Sequence, residues 1–92
     1  MSRITESARA AVYQAILPLA RGMRAQVLDA LRSFRAGLTA EEVAATAGLS
    51  LNNARSRLTE LCAMVPPQAF AVGKRESART GVRVTVFRAV AA

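Results

Sequence analysis

The stretch that most constrains the fold runs from Thr39 to Leu61, TAEEVAATAGLSLNNARSRLTEL. Thr39 and Glu42 have the spacing of a capping box, in which the hydroxyl accepts from one orphan amide and the carboxylate reaches back to another. Val43, Ala44 and Ala47 then supply an apolar stripe, and Gly48 stands where a helix stops and the backbone needs positive φ. Ser50 is placed to N-cap a second helix, with Asn53 three positions on. Two short capped helices joined by a tight Gly-containing turn predict a helix-turn-helix over residues 39–62.

The second of these helices has two distinct faces. At about 100° per residue, Leu51, Ala54, Leu58 and Leu61 fall on one side and are expected to pack inward. Asn52, Ser56 and Thr59 fall on the other, flanked by Asn53 and Arg55. An outward row of Asn, Ser, Arg and Thr near a helix N-terminus suits the reading of base edges in a major groove. A merely solvated helix face has the same appearance in isolation.

Charge bears on which reading holds. The 92 residues carry 13 basic against 6 acidic side chains, a net charge of +7, which points to an anionic partner. Nucleic acid is the first expectation, an acidic protein or membrane surface the second. Residues 50–92 hold seven of the bases and two of the acids, so the surplus gathers on the second motif helix and the segment after it. All the bases but Lys74 are Arg, whose planar fork suits phosphate and guanine, although a GC-rich genome yields the same bias.

Other classes are disfavoured. There is no His and one thiol, Cys62, so a zinc site within one chain is not expected, and Cys62 reads as a small, partly buried filler. No Gly-rich phosphate loop appears, and the Glu41–Glu42 pair is already explained by the cap, so neither an enzyme nor a cofactor is expected. No apolar run approaches a membrane span and no secretory signal is evident, which makes a cytoplasmic, nucleoid-associated setting the default.

The rest of the chain frames the motif as one domain over residues 1–92. Residues 4–16 read as a first helix, with Ile4, Ala8, Ala11, Val12, Ala15 and Ile16 on one face. Pro18 is expected to close it near Ile16 and to serve, if anything, as the first residue of the next helix. That helix is expected from about Leu19 to Ala36, with Met23, Val27, Leu31 and Phe34 as its apolar stripe and Gly37 as its stop. A very short strand has room at Leu38–Thr39. Pro66 and Pro67 end the second motif helix. Residues 68–74 and 82–90 are β-branched runs joined by a polar, Gly-bounded loop, which predicts an antiparallel hairpin over 68–90.

The expected architecture is therefore mainly α with a small β-hairpin: four helices plus a C-terminal wing, a winged helix-turn-helix. The wing would carry Lys74, Arg75, Arg79 and Arg83 towards phosphates or the minor groove. A charged loop that blunts a sheet edge is the competing view of the same residues.

Taken together, the chain resembles small winged-helix proteins of bacteria and their phages, in the neighbourhood of the MarR-like transcription regulators. The resemblance rests on GLSLNNARSRLTEL, with Asn52, Arg57, Glu60 and Leu61 at matching places, and on Gly73–Arg75, Thr80–Gly81 and Val86–Arg88 in the wing. It departs at MVPPQAF, where such proteins have a short Gly-containing turn, at Val82 in place of a base, and at Phe87 in place of Trp. It implies a double-stranded DNA-binding regulator, a repressor by occupancy, and a possible homodimer through the amino-terminal helix. That helix can equally pack on its own core.

These readings single out the site residues. Asn52 and Asn53 offer bidentate contacts to adenine or cap the helix. Arg55 is the leading guanine or phosphate contact, with Ser56 and Thr59 facing the same way. Arg57 lies close to the buried stripe, so its stem is expected to pack while its head reaches phosphate or Glu60. The rival function, from another class, is a winged-helix protein-interaction module within a phage, replication or packaging assembly, without DNA readout.

Overall fold

A computed structural model describes residues 6–91, with side chains described from Leu19 onward. The elements in order are α1 (Glu6–Ser33), β1 (Leu38–Thr39), α2 (Ala40–Ala47), α3 (Leu51–Ala63), β2 (Ala69–Glu76) and β3 (Arg83–Ala89). Three helices pack with one three-stranded antiparallel sheet in the order β1-β3-β2, a small α+β domain.

The expectation of four helices is corrected to three. The break foreseen near Ile16 does not occur, and α1 runs through Pro18 as one helix of 28 residues. Proline's fixed φ is itself helical, so its cost inside a helix is one lost hydrogen bond and a local clash. Stopping and restarting would orphan two further sets of terminal groups and require a second costly nucleus. The apolar face foreseen at residues 4–16, and with it the dimer seam, lies outside the described side chains.

At its other end α1 stops at Ser33, three residues before the expected Ala36, and the Ser33 hydroxyl donates to the Asp29 carbonyl at 2.9 Å. A turn follows in which the Gly37 amide donates to the Phe34 carbonyl at 2.9 Å. Phe34, expected in the buried stripe, is 47% exposed, because the helical phase that would have turned it inward ends one residue earlier. Ala30 is buried in its stead, beside Val27 and Leu31.

The motif itself forms as its local chemistry dictates. The Thr39 amide donates to Glu42 Oε1 at 2.8 Å and the Glu42 amide to Thr39 Oγ1 at 3.3 Å, closing the capping box at the start of α2. Gly48 caps α2 in the left-handed region (φ 69°), and Ser50 Oγ accepts the Asn53 amide at 3.1 Å to open α3. Leu58 and Leu61 from α3 join Val27 and Leu31 from α1 and Val43 from α2 as the largest fully buried side chains. Leu51, expected inside, is only half-buried at the first turn of α3.

Beyond Pro66 and Pro67 the Gln68 amide donates to the Leu61 carbonyl at 2.9 Å and the chain turns into the hairpin. β2 pairs with β3 from Ala69↔Ala89 to Glu76↔Arg83, with a bulge between Ala71 and Gly73. β1 adds the short third strand through Leu38↔Phe87 and Thr39↔Val86. Only Ala69 of β2 is buried; Phe70 and Val72 are both exposed. Among the described residues no helix is long and apolar enough to cross a membrane.

Candidate nucleic-acid interface

The polar face of α3 is free. Asn52, Arg55, Ser56 and Thr59 are all exposed, while Ala54, Leu58 and Leu61 hold the opposite side in the core. The Thr59 hydroxyl donates to the Arg55 carbonyl at 3.0 Å, which leaves its oxygen as an acceptor. Asn53 is half-buried, and its amide is taken by the Ser50 cap.

Arg57 does something different. Its Nε lies 2.7 Å from Glu60 Oε1, one terminal nitrogen donates to Glu60 Oε2 at 2.9 Å, and the other lies 3.8 Å from the sulfur of Met23 on α1. Arg24 approaches the same carboxylate at 3.6 Å. At 15% side-chain exposure, Arg57 links α3 to α1 through its guanidinium.

Two of the hairpin's bases are also engaged within the molecule. The Arg75 guanidinium pairs with the Glu42 carboxylate, and Arg79 Nε lies 3.1 Å from Glu41 Oε2. Buried Ser77 donates its hydroxyl to Glu41 Oε1 at 2.8 Å and accepts the amides of Arg79 and Thr80 at 3.2 and 3.3 Å. The loop after β2 is thus fastened to the first turn of α2. The hydrogen bond from Ser77, followed by Arg79, holds the Glu41 carboxyl below the ordinary carboxylate range. For Glu42, partial burial pushes the other way, but the Thr39 amide and Arg75 outweigh it and keep the group below its usual value.

These pairs sort the cations. Among the described residues, Arg24, Arg57, Arg75 and Arg79 have a carboxylate within 4.0 Å; seven other cations do not, among them Arg55, Lys74 and Arg83. Those last three come from α3, β2 and β3, yet they line one open cleft of about 280 Å³ with Thr39, Ala40 and Phe87. Glu41 also lines it, its two oxygens engaged by Ser77 and Arg79, and the charge of Arg55 adds to the lowering of its carboxyl. Glu76 faces Arg83 across the strands but makes no ion pair with it within 4.0 Å.

Of the ten residues singled out in the sequence, the fold brings Arg55, Lys74 and Arg83 together and sets Asn52, Ser56 and Thr59 on the same exposed helix. Arg75 and Arg79 are fastened to α2 and Arg57 to Glu60. Sequence reasoning missed Glu41 and Glu42 as anchors of the hairpin, since their local role in capping already accounted for them. Among the described residues, no three His, Cys, Asp or Glu side chains come together as a metal site. Compared with known protein families and with curated proteins, the chain matches no family model and no curated sequence.

Proposed function

We propose that the chain is a winged helix-turn-helix that binds double-stranded DNA and regulates transcription by occupancy, as a repressor. α3 is the recognition helix for the major groove, and the tip of the β2–β3 hairpin, residues 74–83, is the wing on the flanking backbone. The observation that carries this reading is the convergence of Arg55, Lys74 and Arg83, none with a described carboxylate within 4.0 Å, on one cleft beside the polar face of α3. Phosphates are the natural counter-charge for such a set. Asn52, Arg55 and Ser56 are the groups offered to base edges, and no chemistry is required of the protein.

A second reading draws on the internal pairing of Arg75 and Arg79. With two of the five hairpin bases neutralised within the molecule, the same fold suits a protein-interaction module in a larger assembly.

Selection of bound fragments from random duplexes, followed by anisotropy titrations on the recovered sequence, tests the first reading. Three phosphate contacts give a slope of about −2.7 in log affinity against log salt, or about fortyfold for a fourfold rise in salt. Arg55→Ala is expected to weaken binding to that sequence by about 1–3 kcal/mol and to leave the melting temperature unchanged. A chain that ignores duplex DNA even in dilute salt is a protein-docking module instead.

A further inference from the structure

Three of the other described cations gather in a second place. Arg32 in the last turn of α1, Arg35 in the turn before β1 and Arg88 near the end of β3 are all exposed, and none has a carboxylate within 4.0 Å among the described residues. They line one open cleft of about 430 Å³ with Leu31, Ala89 and Val90, and no acidic side chain enters that lining. Asp29, the nearest acid along α1, lines a different hollow with Gln26 and Ser33. The stem of Arg88 passes close to Gly37, where an added Cβ would lie 3.0 Å from its Cγ.

Three like charges gathered without a counter-charge repel one another unless an anion joins them. A helix-dipole role accounts for Arg32 at the end of α1 but leaves Arg35 and Arg88 unexplained. Guanidinium groups presented in an open, largely aliphatic hollow match phosphate oxygens, each fork taking two. This cleft shares no lining residue with the first. Arg83 and Arg88 mark the two clefts at opposite ends of β3, five residues and so about 17 Å apart.

We propose that the Arg32–Arg35–Arg88 cleft is a second phosphodiester-binding site, so that one molecule holds two separate duplexes of nucleic acid. The joining of two duplexes rests on the function proposed above; the second cleft itself rests on its own residues.

The test uses the full chain and two differently labelled duplexes of about one helical turn, roughly 34 Å; a single duplex laid across both clefts would leave no capture of the second. One is fixed to beads and saturated with protein, and capture of the other is measured. The expected result is capture by the wild type. The R35Q/R88Q variant is expected to bind the fixed duplex within about twofold of wild type, as distant sites act independently, while its capture of the second falls by about tenfold. Binding of one duplex without capture of a second overturns this proposal and leaves the first function standing. Undiminished capture by R35Q/R88Q overturns it too, since the two duplexes would then be joined through a dimer. A polyglutamate peptide that occupies the cleft in preference to the duplex makes it an acidic-protein site and likewise overturns it. Failure to bind any duplex removes the proposed function as well. Should R35Q/R88Q lose its helical circular dichroism, R35Q alone, in an exposed turn, carries the comparison with a smaller drop.

Discussion

Gly37 has the least freedom to change among the five glycines. It sits at φ 95° in the turn between α1 and β1, where a Cβ would meet Val86 Cγ1 at 2.7 Å and the Phe87 carbonyl oxygen at 2.9 Å. The backbone at this point must pass close over β3, which only a residue without a side chain allows. Gly37→Ala combines a strained dihedral with overpacking against backbone, and urea melts are expected to show a loss of about 2–4 kcal/mol at an unchanged m-value. The corresponding change at Gly48, equally left-handed but open to solvent, lacks the steric part and is the internal control. Arg57 teaches a related lesson at the same scale. An arginine in the middle of a polar helix invites a binding role, but its position beside the apolar stripe leads its guanidinium to Glu60 and to the sulfur of Met23.

α2 is the element on which the most depends. Its first turn closes its own capping box, and the same two glutamates hold the hairpin through Arg75, Ser77 and Arg79. Negative charge at this helix start also meets the positive end of the helix dipole. Both carboxyls are held below the ordinary value of 4.5, so their contribution to stability is complete above that pH and is lost as pH falls through the lowered folded value. Stability measured by urea between neutral pH and pH about 3 is therefore expected to decline on the acid side. Glu41→Gln is expected to lower stability at neutral pH and to flatten that decline, with the change concentrated in hydrogen exchange of the 77–82 loop. An acid limb identical to wild type would mean that Ser77 and Arg79 do not stabilise the ionised form. Cys62, on α3, belongs to the same scale: its thiol is pushed up by burial alone, as suits a side chain that fills space.

For the molecule as a whole, the distribution of pairing outweighs the total of +7. Replacing Lys74 and Arg83 together by Gln removes two free cations from the α3 cleft, and the salt slope for duplex binding is expected to flatten by about 1.8. Replacing Arg75 and Arg79 removes two bases of the same hairpin that already have carboxylates. That change is expected to move the slope less and to lower thermal stability more, through the freed Glu41 and Glu42. Equal slopes for the two variants would show that the hairpin pairs open whenever DNA is present.

What could be read from the chain alone depended on short-range physics. The cap at Thr39 and Glu42, the stop at Gly48, the start at Ser50 and the buried stripe of α3 involve groups within one or two helical turns, so spacing alone was enough to name them. The hairpin followed from alternation and a glycine-bounded loop. Where a local rule met a wider competition it misled: Pro18 signalled an end that the cost of a second helix start overruled, and Phe34 was assigned inward by a helix that had already ended. The partners of Arg75 and Arg79 lie 33 and 38 positions away, a separation at which no spacing rule operates. The sequence by itself determined the helix pair, its polar face and the excess of arginine. Only the tertiary structure decided which arginines are spent on glutamates and which are left to line a cleft, because a long side chain pairs with whatever the packing of distant elements brings within its reach.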